Sequence, residues 1–552
     1  MITLINNFKQ HLFMCVNFVW VLIRLCYIHV KKIILFRKSR DLYGGIECIS
    51  MKTSKSSSRL EYIPIPKKIF ILVDDIIVLQ KKIIVDVGQS VLLGQVLSLG
   101  YKHIAPIHSP VSGIVTKISQ KKYNFFLNKR FSIINIRSDG KDTKIDSILM
   151  SNYKKFSPDE IIQLIYNSGV VGLGGAGFLS SKKLQYSIGN AHTLVVNAAE
   201  SEPYITSDDC LIRNFAQEVI QGCQIIVWIL KIKCVLIAIE DDKNIAYIKI
   251  KKEIKAFPNY KIYKIKRIYP SGSSKQLIKI LFNKEVPLGK HSTSLGIVVF
   301  NVSTIFSIKR AVINGEPLIE RIVTLSDRRL SYQKNILVRV GTPINYILKK
   351  CNINYKDNSV VIGGPITGLI IDDLSFPILK TSNNILCLEL NFMDNRLESP
   401  CIRCTACSRT CPMRLLPEQL YFYSKSFDHN KSREYHINEC IECGICEQVC
   451  PSNIPLLRYF RKEKLKLNEI IFKENMSKKF KKLFVSRQSR LNSSGLINEN
   501  IIYSSNNLDR VLDKKVVCNT DIEYITIEKS QFMRKKELEE SIARAKLKRN
   551  IE

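Results

Sequence analysis

The chain holds 552 residues, 45% hydrophobic and 24% charged. That is ordinary for a folded protein and too long for one core, so three to five domains are expected at roughly 100–200 residues each. The formal charge is +35, from 84 Lys and Arg against 49 Asp and Glu. Most cations are scattered singly through an Ile-, Lys- and Asn-rich chain, with no zinc-finger, RNP-type or basic-zipper pattern, so no nucleic-acid partner is expected. Of the 17 cysteines, those outside 401–450 are scattered and show no pairing pattern. A secreted disulfide scaffold is therefore disfavoured, and a reducing, cytoplasmic setting fits better.

In chain order, Leu12–Val30 is apolar but contains Arg24 and His29. A charge near a helix centre costs about 2.5–3.5 kcal/mol on insertion. No small-residue cleavage site follows, which argues against a signal peptide. Lys31, Lys32, Arg37, Lys38 and Arg40 would hold that end in the cytoplasm if it inserted. Residues 1–43 are thus an apolar, basic extension, with a membrane anchor and a degenerate or mis-started stretch both open. Ser54–Arg59 reads as a polar linker, and Pro64 and Pro66 forbid a helix after it. Lys67–Ile136 carries short β-branched runs broken by glycine, the pattern of a small all-β domain.

The style changes at FSPDEIIQLIYNSG. Ser157 suits an N-cap, Pro158 the first helical position, and Ile161, Ile162, Leu164 and Ile165 the apolar face. From here to about Arg321, apolar runs (TLVVNAA, CVLIAIE, LGIVVFNV) alternate with helical stretches, which predicts an α/β layer structure with a mainly parallel sheet. Leu337–Leu369 reads as a second, smaller α+β unit. Beyond Pro455 the chain is basic and helix-prone; after about 490 it is polar and disorder-like, with a late helix near 529–548.

Two cysteine runs carry the most specific signal. Cys401-x2-Cys404-x2-Cys407-x3-Cys411-Pro412 is repeated as Cys440-x2-Cys443-x2-Cys446-x3-Cys450-Pro451. This is bacterial ferredoxin spacing. Three cysteines spaced by two residues aim three thiolates at one cubane face, and the fourth reaches the partner cluster. One [4Fe–4S] cluster is thereby assigned to Cys401, Cys404, Cys407 and Cys450, the other to Cys440, Cys443, Cys446 and Cys411. Zinc sites pair two C-x2-C knuckles and do not need the third cysteine.

GVVGLGGAGF (Gly169–Phe178) is weaker by itself. Glycine loops cradle phosphate because backbone N–H groups approach without a Cβ in the way. This one lacks a P-loop Lys-Ser/Thr and follows a helix, so a tight structural turn is an equal reading. VVNAAESEPYITSDD places Asn197, Glu200 and Glu202 where ligands bind in open α/β sheets, although a solvated loop also explains the acids. No Ser-His-Asp or Cys-His arrangement is visible, and no catalytic side chain is assigned.

GLGGAGF with Lys183, NAAESEPYIT, YPSGSSKQL, NVSTIFSIKRAV, GEP, GTP, GGPITG and the cysteine runs follow one another in one order. Over roughly residues 44–465 this resembles the RnfC/RsxC family of the Rnf/Rsx electron-transport complex. The flavin-site segments are similar to the NADH-binding flavoprotein of respiratory complex I. The resemblance implies a multidomain α/β protein: a barrel-sandwich hybrid (44–145), a Rossmann-like FMN/NADH domain (150–325), a β-grasp, SLBB-type module (330–395), an α-helical ferredoxin-type domain with two cubane clusters (396–465), and a basic tail (466–552). It implies FMN held by Gly172, Gly174, Gly175, Ala176, Gly177 and Phe178, with Lys183, Asn197, Glu200, Glu202, Asn301 and Thr304 around it and NAD(H) as substrate. It further implies an electron-transfer component of a heteromeric translocase, peripheral on the cytoplasmic side of the bacterial inner membrane, working with membrane and peripheral subunits that couple electron flow to ion translocation. The alternative is a cluster-bearing docking component with a decayed flavin site. The family pattern is broken at Leu179, Ser180 and Ser181, where Pro-Thr-Gly is usual, and at Ser273 and Ser303, where an added Cβ is expected near the ligand. YKHI around Lys102 is no carrier-lysine context, so lipoylation is not expected; His103 and His108 read as surface or structural.

Overall fold

The computed structural model describes residues 43–47, 60–74, 83–101, 104–123, 129–175, 177–327, 333–353, 358–389 and 397–493. The expectations for residues 1–42, Ser54–Arg59, Lys102, His103, Ala176 and 529–548 lie outside them. The chain divides into two compact units, Met1–Leu467 and Asn468–Glu552. Among the described residues, no helix is long and apolar enough to cross a membrane.

The glycine-broken runs form β1 (Leu60–Tyr62), β2 (Lys68–Asp74), β3 (Ser90–Val91), β4 (Val96–Ser98), β5 (Ile107–His108), β6 (Gly113–Tyr123) and β7 (Lys129–Ser138). Strands β2, β7, β6 and β3 make an antiparallel sheet in that order, and β4 pairs with β5. The alternation of KIFILVD decides the packing. Ile69, Ile71 and Val73 enter one core with Val115, Ile134 and Ile136, while Phe70 and Leu72 pack on the other face. That other face, with Tyr123, Phe131 and Ile133, joins the core of the third module.

The α/β domain starts as expected. α1 (Pro158–Asn167) is capped by Ser157, whose side chain accepts from Glu160 N while Glu160 accepts from Ser157 N. This reciprocal box contributes about 1 kcal/mol. Next come α2 (Ser180–Ser187), β8 (Thr193–Ala198), α3 (Ser207–Leu230), β9 (Cys234–Glu240), α4 (Asn244–Glu253), β10 (Tyr260–Ile265), α5 (Ser274–Phe282), β11 (Ile297–Asn301) and α6 (Val302–Asn314). The sheet runs β10-β9-β8-β11, all parallel. Its chain order therefore reverses between β8 and β11, and a crevice opens there at the strands' carboxyl ends. Apolar side chains cover both sheet faces: Leu194, Val196, Val298 and Phe300 on one, Val195, Leu236 and Val299 on the other.

The third module is a six-stranded mixed sheet, β1-β13-β12-β16-β14-β15, built with β12 (Glu320–Asp327), β13 (Gln333–Arg339), α7 (Ile344–Lys350), β14 (Asn358–Ile362), β15 (Leu369–Ile371) and β16 (Asn384–Glu389). It starts ahead of residue 330 because β12, buried along its whole interior, lies centrally between β13 and β16. It also takes β1 from the N-terminal segment.

The cysteine region is helical: α8 (Ala406–Arg409), α9 (Pro417–Lys425), α10 (His429–Glu434), α11 (Ile445–Gln448) and α12 (Leu456–Ser493). Leu420, Tyr421, Ile437, Ile454, Leu456 and Phe460 form its core. The basic helical stretch expected beyond Pro455 is α12.

Candidate functional site

The glycine loop hangs above the point where strand order reverses. Just past the end of α1, Gly169 has φ +66, and a Cβ there would lie 2.5 Å from Pro106 O and 2.6 Å from Lys380 Nζ. Only glycine fits. Lys380, which no sequence pattern flagged, donates to Gly169 O at 2.8 Å and Pro106 O at 2.9 Å, tying the loop's base to the β-domain. Burial pulls its amine down to about 7. His108, buried beside it, is pulled to about 3 by burial and the Lys380 charge, as expected of a structural histidine.

The loop closes on itself, Gly172 N donating to Phe178 O at 2.7 Å. It is pinned to α6 by Leu173 N donating to Thr304 Oγ1 at 2.9 Å. A Cβ on Gly174 would lie 3.2 Å from Asn301 Cβ. A Cβ on Gly175, φ +124, would meet no described residue within 4 Å beyond its chain neighbours. Gly177 faces Thr381, and Phe178 is exposed. Asn197 and Asn301 end neighbouring strands as register partners. Gly172, Gly174, Asn197, Asn301 and Thr304 are thus brought together.

The remaining predicted residues are held by protein. Lys183 points into the sheet: its Nζ donates to Val299 O and lies 4.8 Å from the Phe300 ring centroid. Burial lowers its amine to about 8. Glu200 accepts from Ser207 Oγ at 2.9 Å and Asp208 N at 3.0 Å, a carboxyl set at the start of α3. Glu202 accepts from Ile366 N, Thr367 N and Thr367 Oγ1 at 2.9–3.1 Å, so it locks the third module's turn to the crevice rim. Burial raises its carboxyl.

Asp208 is a site residue that sequence reasoning passes over, although ITSDD contains it. It accepts from Ser303 Oγ at 2.6 Å and Asn301 Nδ2 at 2.7 Å. Burial, then the Glu200 charge, pushes it up to about 6. This explains Ser303. Instead of placing its Cβ against the ligand, the residue is buried and its hydroxyl serves Asp208. Ser273 merely precedes α5.

The cysteine runs repeat in backbone as well as sequence. Positive φ occurs at Arg403 and Glu442 (55° and 54°), Thr405 and Gly444 (60° and 74°), and Arg414 and Asn453 (55° and 50°). Among the described residues, no three His, Cys, Asp or Glu converge on a single-ion site. Each set of four cysteines instead surrounds an apolar-walled opening. Cys401, Cys404, Cys407 and Cys450 line one of about 380 Å³, with Tyr421, Ile454 and Leu456. Cys411, Cys440, Cys443 and Cys446 line one of about 410 Å³, with Pro412, Leu420 and Phe460. Both volumes include space open to solvent. All eight thiols are free. Four thiols around each opening fit a cubane. The glycine loop fits an FMN phosphate: among the described residues nothing but chain neighbours stands within 4 Å of a Cβ placed on Gly175, and the buried Ser180 hydroxyl at the start of α2 has no hydrogen-bond partner.

A crevice at a sheet's switch point, a glycine loop over it and two four-cysteine openings define the class of an electron-transfer flavoprotein. Three known families match. Residues 40–141 match the RnfC Barrel sandwich hybrid domain, 165–310 the Nuo51 FMN-binding domain, and 400–454 the 4Fe-4S dicluster domain. The C subunit of the ion-translocating oxidoreductase complex of Buchnera aphidicola subsp. Baizongia pistaciae is 46% identical over 485 residues, covering 86% of this chain and 96% of that protein. Its counterpart from Buchnera aphidicola subsp. Acyrthosiphon pisum is 43% identical over 440 residues, 79% and 92% of the two chains. The chain belongs to the RnfC family, the C subunits of ion-translocating oxidoreductase complexes. A solved NAD+-reducing [NiFe]-hydrogenase chain in the air-oxidized state is also similar, at 15% identity and TM-score 0.41, over 55% of this chain and 60% of that one.

Proposed function

We propose that this chain is the electron-transfer component of a membrane-bound, ion-translocating oxidoreductase, taking electrons from NADH at a flavin site and delivering them to partner subunits through two cysteine-held iron–sulfur sites. It sits peripherally on the cytoplasmic side of the bacterial inner membrane. The observation that carries the reading is the sorting of eight cysteines around two separate openings in the chain that also holds the glycine-loop crevice.

FMN, when bound, accepts a hydride's two electrons and releases them singly, and each [4Fe–4S] cluster carries one. The chain's own residues bind and orient. Main chain at Gly174, Gly175 and Gly177, with Ser180, would hold the phosphate, while Gly172 closes the loop on Phe178. Asn197, Asn301 and Thr304 set the loop and strand ends beneath it, and Glu200 and Glu202 fix the rim. One cluster would be held by Cys401, Cys404, Cys407 and Cys450, the other by Cys440, Cys443, Cys446 and Cys411. The β12–β16 sheet with helix α7 suits the β-grasp, SLBB-type assignment. A decayed flavin site is not favoured, because Ser303 is drawn to Asp208.

Iron, acid-labile sulfide and flavin counted per chain after anaerobic purification test the reading. Two clusters, one FMN and bleaching of cluster absorbance by NADH are expected. Two clusters without flavin would remove the NADH half.

A further inference from the structure

The two cysteine loops are alike in sequence and opposite in setting. Ile402, Arg403, Cys404 and Thr405 are all exposed, Ile402 to 68%. In the equivalent stretch, Ile441, Glu442, Cys443 and Gly444, no residue is exposed. The difference comes from what covers each loop. Among the described residues, the side-chain partners of the 400–407 stretch lie in its own domain: Arg403 over the Phe422 ring, Cys407 to Glu418, and Ser452 Oγ donating to Pro400 O. The 440–446 loop is covered by the flavin-type domain and the third module.

Segment 269–276 makes the first cover. Tyr269 Oη donates to Cys443 O at 2.7 Å, and Gln276 Nε2 to Pro412 O at 3.0 Å, next to Cys411. Lys275 ion-pairs with Glu439, which precedes Cys440. Ile46 bridges Tyr269, while Gly45 N donates to Thr410 O at 3.1 Å. The same segment reaches the crevice: Asn197 Nδ2 donates to Gly272 O at 2.8 Å, and a Cβ on Gly272 would lie 2.7 Å from Ala199 O. The second cover comes through Glu202. It holds Thr367, whose carbonyl accepts from Arg461 at 3.1 Å, and Ile366 O lies 3.0 Å from where a Gly444 Cβ would be. Both links join crevice residues to one cysteine loop.

We infer that the loop of Cys440, Cys443 and Cys446, closed by Cys411, is the flavin-side half of the electron route, with Tyr269 as its positioning residue, and that the loop of Cys401, Cys404 and Cys407, closed by Cys450, is the outlet. This rests on the reading under Proposed function. NADH gives up a hydride's two electrons, leaving NAD+ and a proton. Each electron passes the buried loop first, then the exposed one, and ends on a one-electron acceptor centre of a partner protein. The Tyr269 hydroxyl draws negative charge from the Cys443 carbonyl, which favours the reduced state of whatever that loop holds.

The full chain, reconstituted anaerobically, is titrated potentiometrically by electron paramagnetic resonance. Cys443→Ser and Cys404→Ser label the two signals by their loss. Tyr269→Phe is expected to lower the potential of the signal lost in Cys443→Ser and leave the other in place. A Tyr269→Phe chain with both potentials unmoved, or with only the other one moved, would overturn the inference. Freeze-quench after NADH gives the second readout. Cys404→Ser should still show reduction of its remaining signal, whereas Cys443→Ser should lose rapid reduction of its own. The opposite pattern refutes the order. If NADH reduces neither signal in the unsubstituted chain while dithionite reduces both, the flavin reading fails; the Tyr269→Phe potentials still judge the positioning role of Tyr269 at the buried loop.

Discussion

Asn301→Ala tests the polar arrangement beneath the glycine loop. Asn301 has two jobs: its Oδ1 accepts from Ser303 N at 2.9 Å, capping α6, and its Nδ2 donates to Asp208 at 2.7 Å. Losing the cap costs about 1 kcal/mol. Losing a donor to a buried carboxylate costs about 1.5–3 kcal/mol. The sum, about 3 kcal/mol, corresponds to roughly a hundredfold loss of local protection. The deficit also depends on pH. Asp208 is raised from 3.8 to about 6, so the folded state keeps a proton that the unfolded state releases, and stability falls as pH rises through that window. Without Asn301 the charged form loses a donor, its pKa climbs further, and the fall extends above 6. The variant's deficit should therefore be larger near pH 8 than near pH 5. Hydrogen exchange of peptides covering 301–306, followed by mass spectrometry and corrected for intrinsic rates, reads this locally. Equal deficits at both pH values, or a loss below about 0.5 kcal/mol, would refute the assigned roles.

Lys380 is held at about 7 against an ordinary 10.5, so the folded state binds fewer protons and stability should rise by about 1.4 kcal/mol per pH unit across that window. Lys380→Met should flatten that slope in thermal melts taken at stepped pH, and an unchanged slope rejects the assignment. Cys411→Ser should remove the same paramagnetic signal as Cys440→Ser; loss of the Cys404→Ser signal instead would mean that each run closes its own site. Gly444→Ala should lower iron content, because φ +74 costs a side chain roughly 1–2 kcal/mol and the Ile366 carbonyl stands 3.0 Å from the new Cβ. Thr405→Ala, at the matching but exposed position, should change stability by less than about 0.5 kcal/mol, and equal iron loss in both variants would discount the Ile366 contact.

What is legible in the sequence is what local pattern encodes. Ser157, Pro158 and Glu160 announce a helix start because every bond involved lies within one turn. The alternation of KIFILVD announces a two-faced strand, and the spacing of the cysteines announces which four line each opening. What is illegible depends on partners far along the chain. Lys380 sits in a plain stretch, PILKTS, and matters only because Pro106 and Gly169 present carbonyls to it. Asp208 looks like one acid among four in ESEPYITSDD until α6 supplies Ser303. The strand Glu320–Asp327 reads as the end of one domain, yet pairing with residues 384–387 makes it central to the next.

The same distance dependence reshapes the meaning of the crevice residues. Asn197, Glu200, Glu202, Asn301, Thr304 and Lys183 read in the sequence as a ligand's surroundings, and each has polar atoms committed to protein: Gly272, Ser207, Thr367, Asp208, Leu173 and Val299 in turn. Such a shell has much of its hydrogen-bonding capacity already spent on protein. It fixes the glycine loop over the strand ends, so that main chain, whose donors cannot rotate away, is what remains for an anion. The arrangement also makes the site sensitive at a distance. Glu202 and Asn197 each hold a segment whose far end touches the 440–446 loop, so a substitution at either should be felt at a cysteine site it never contacts.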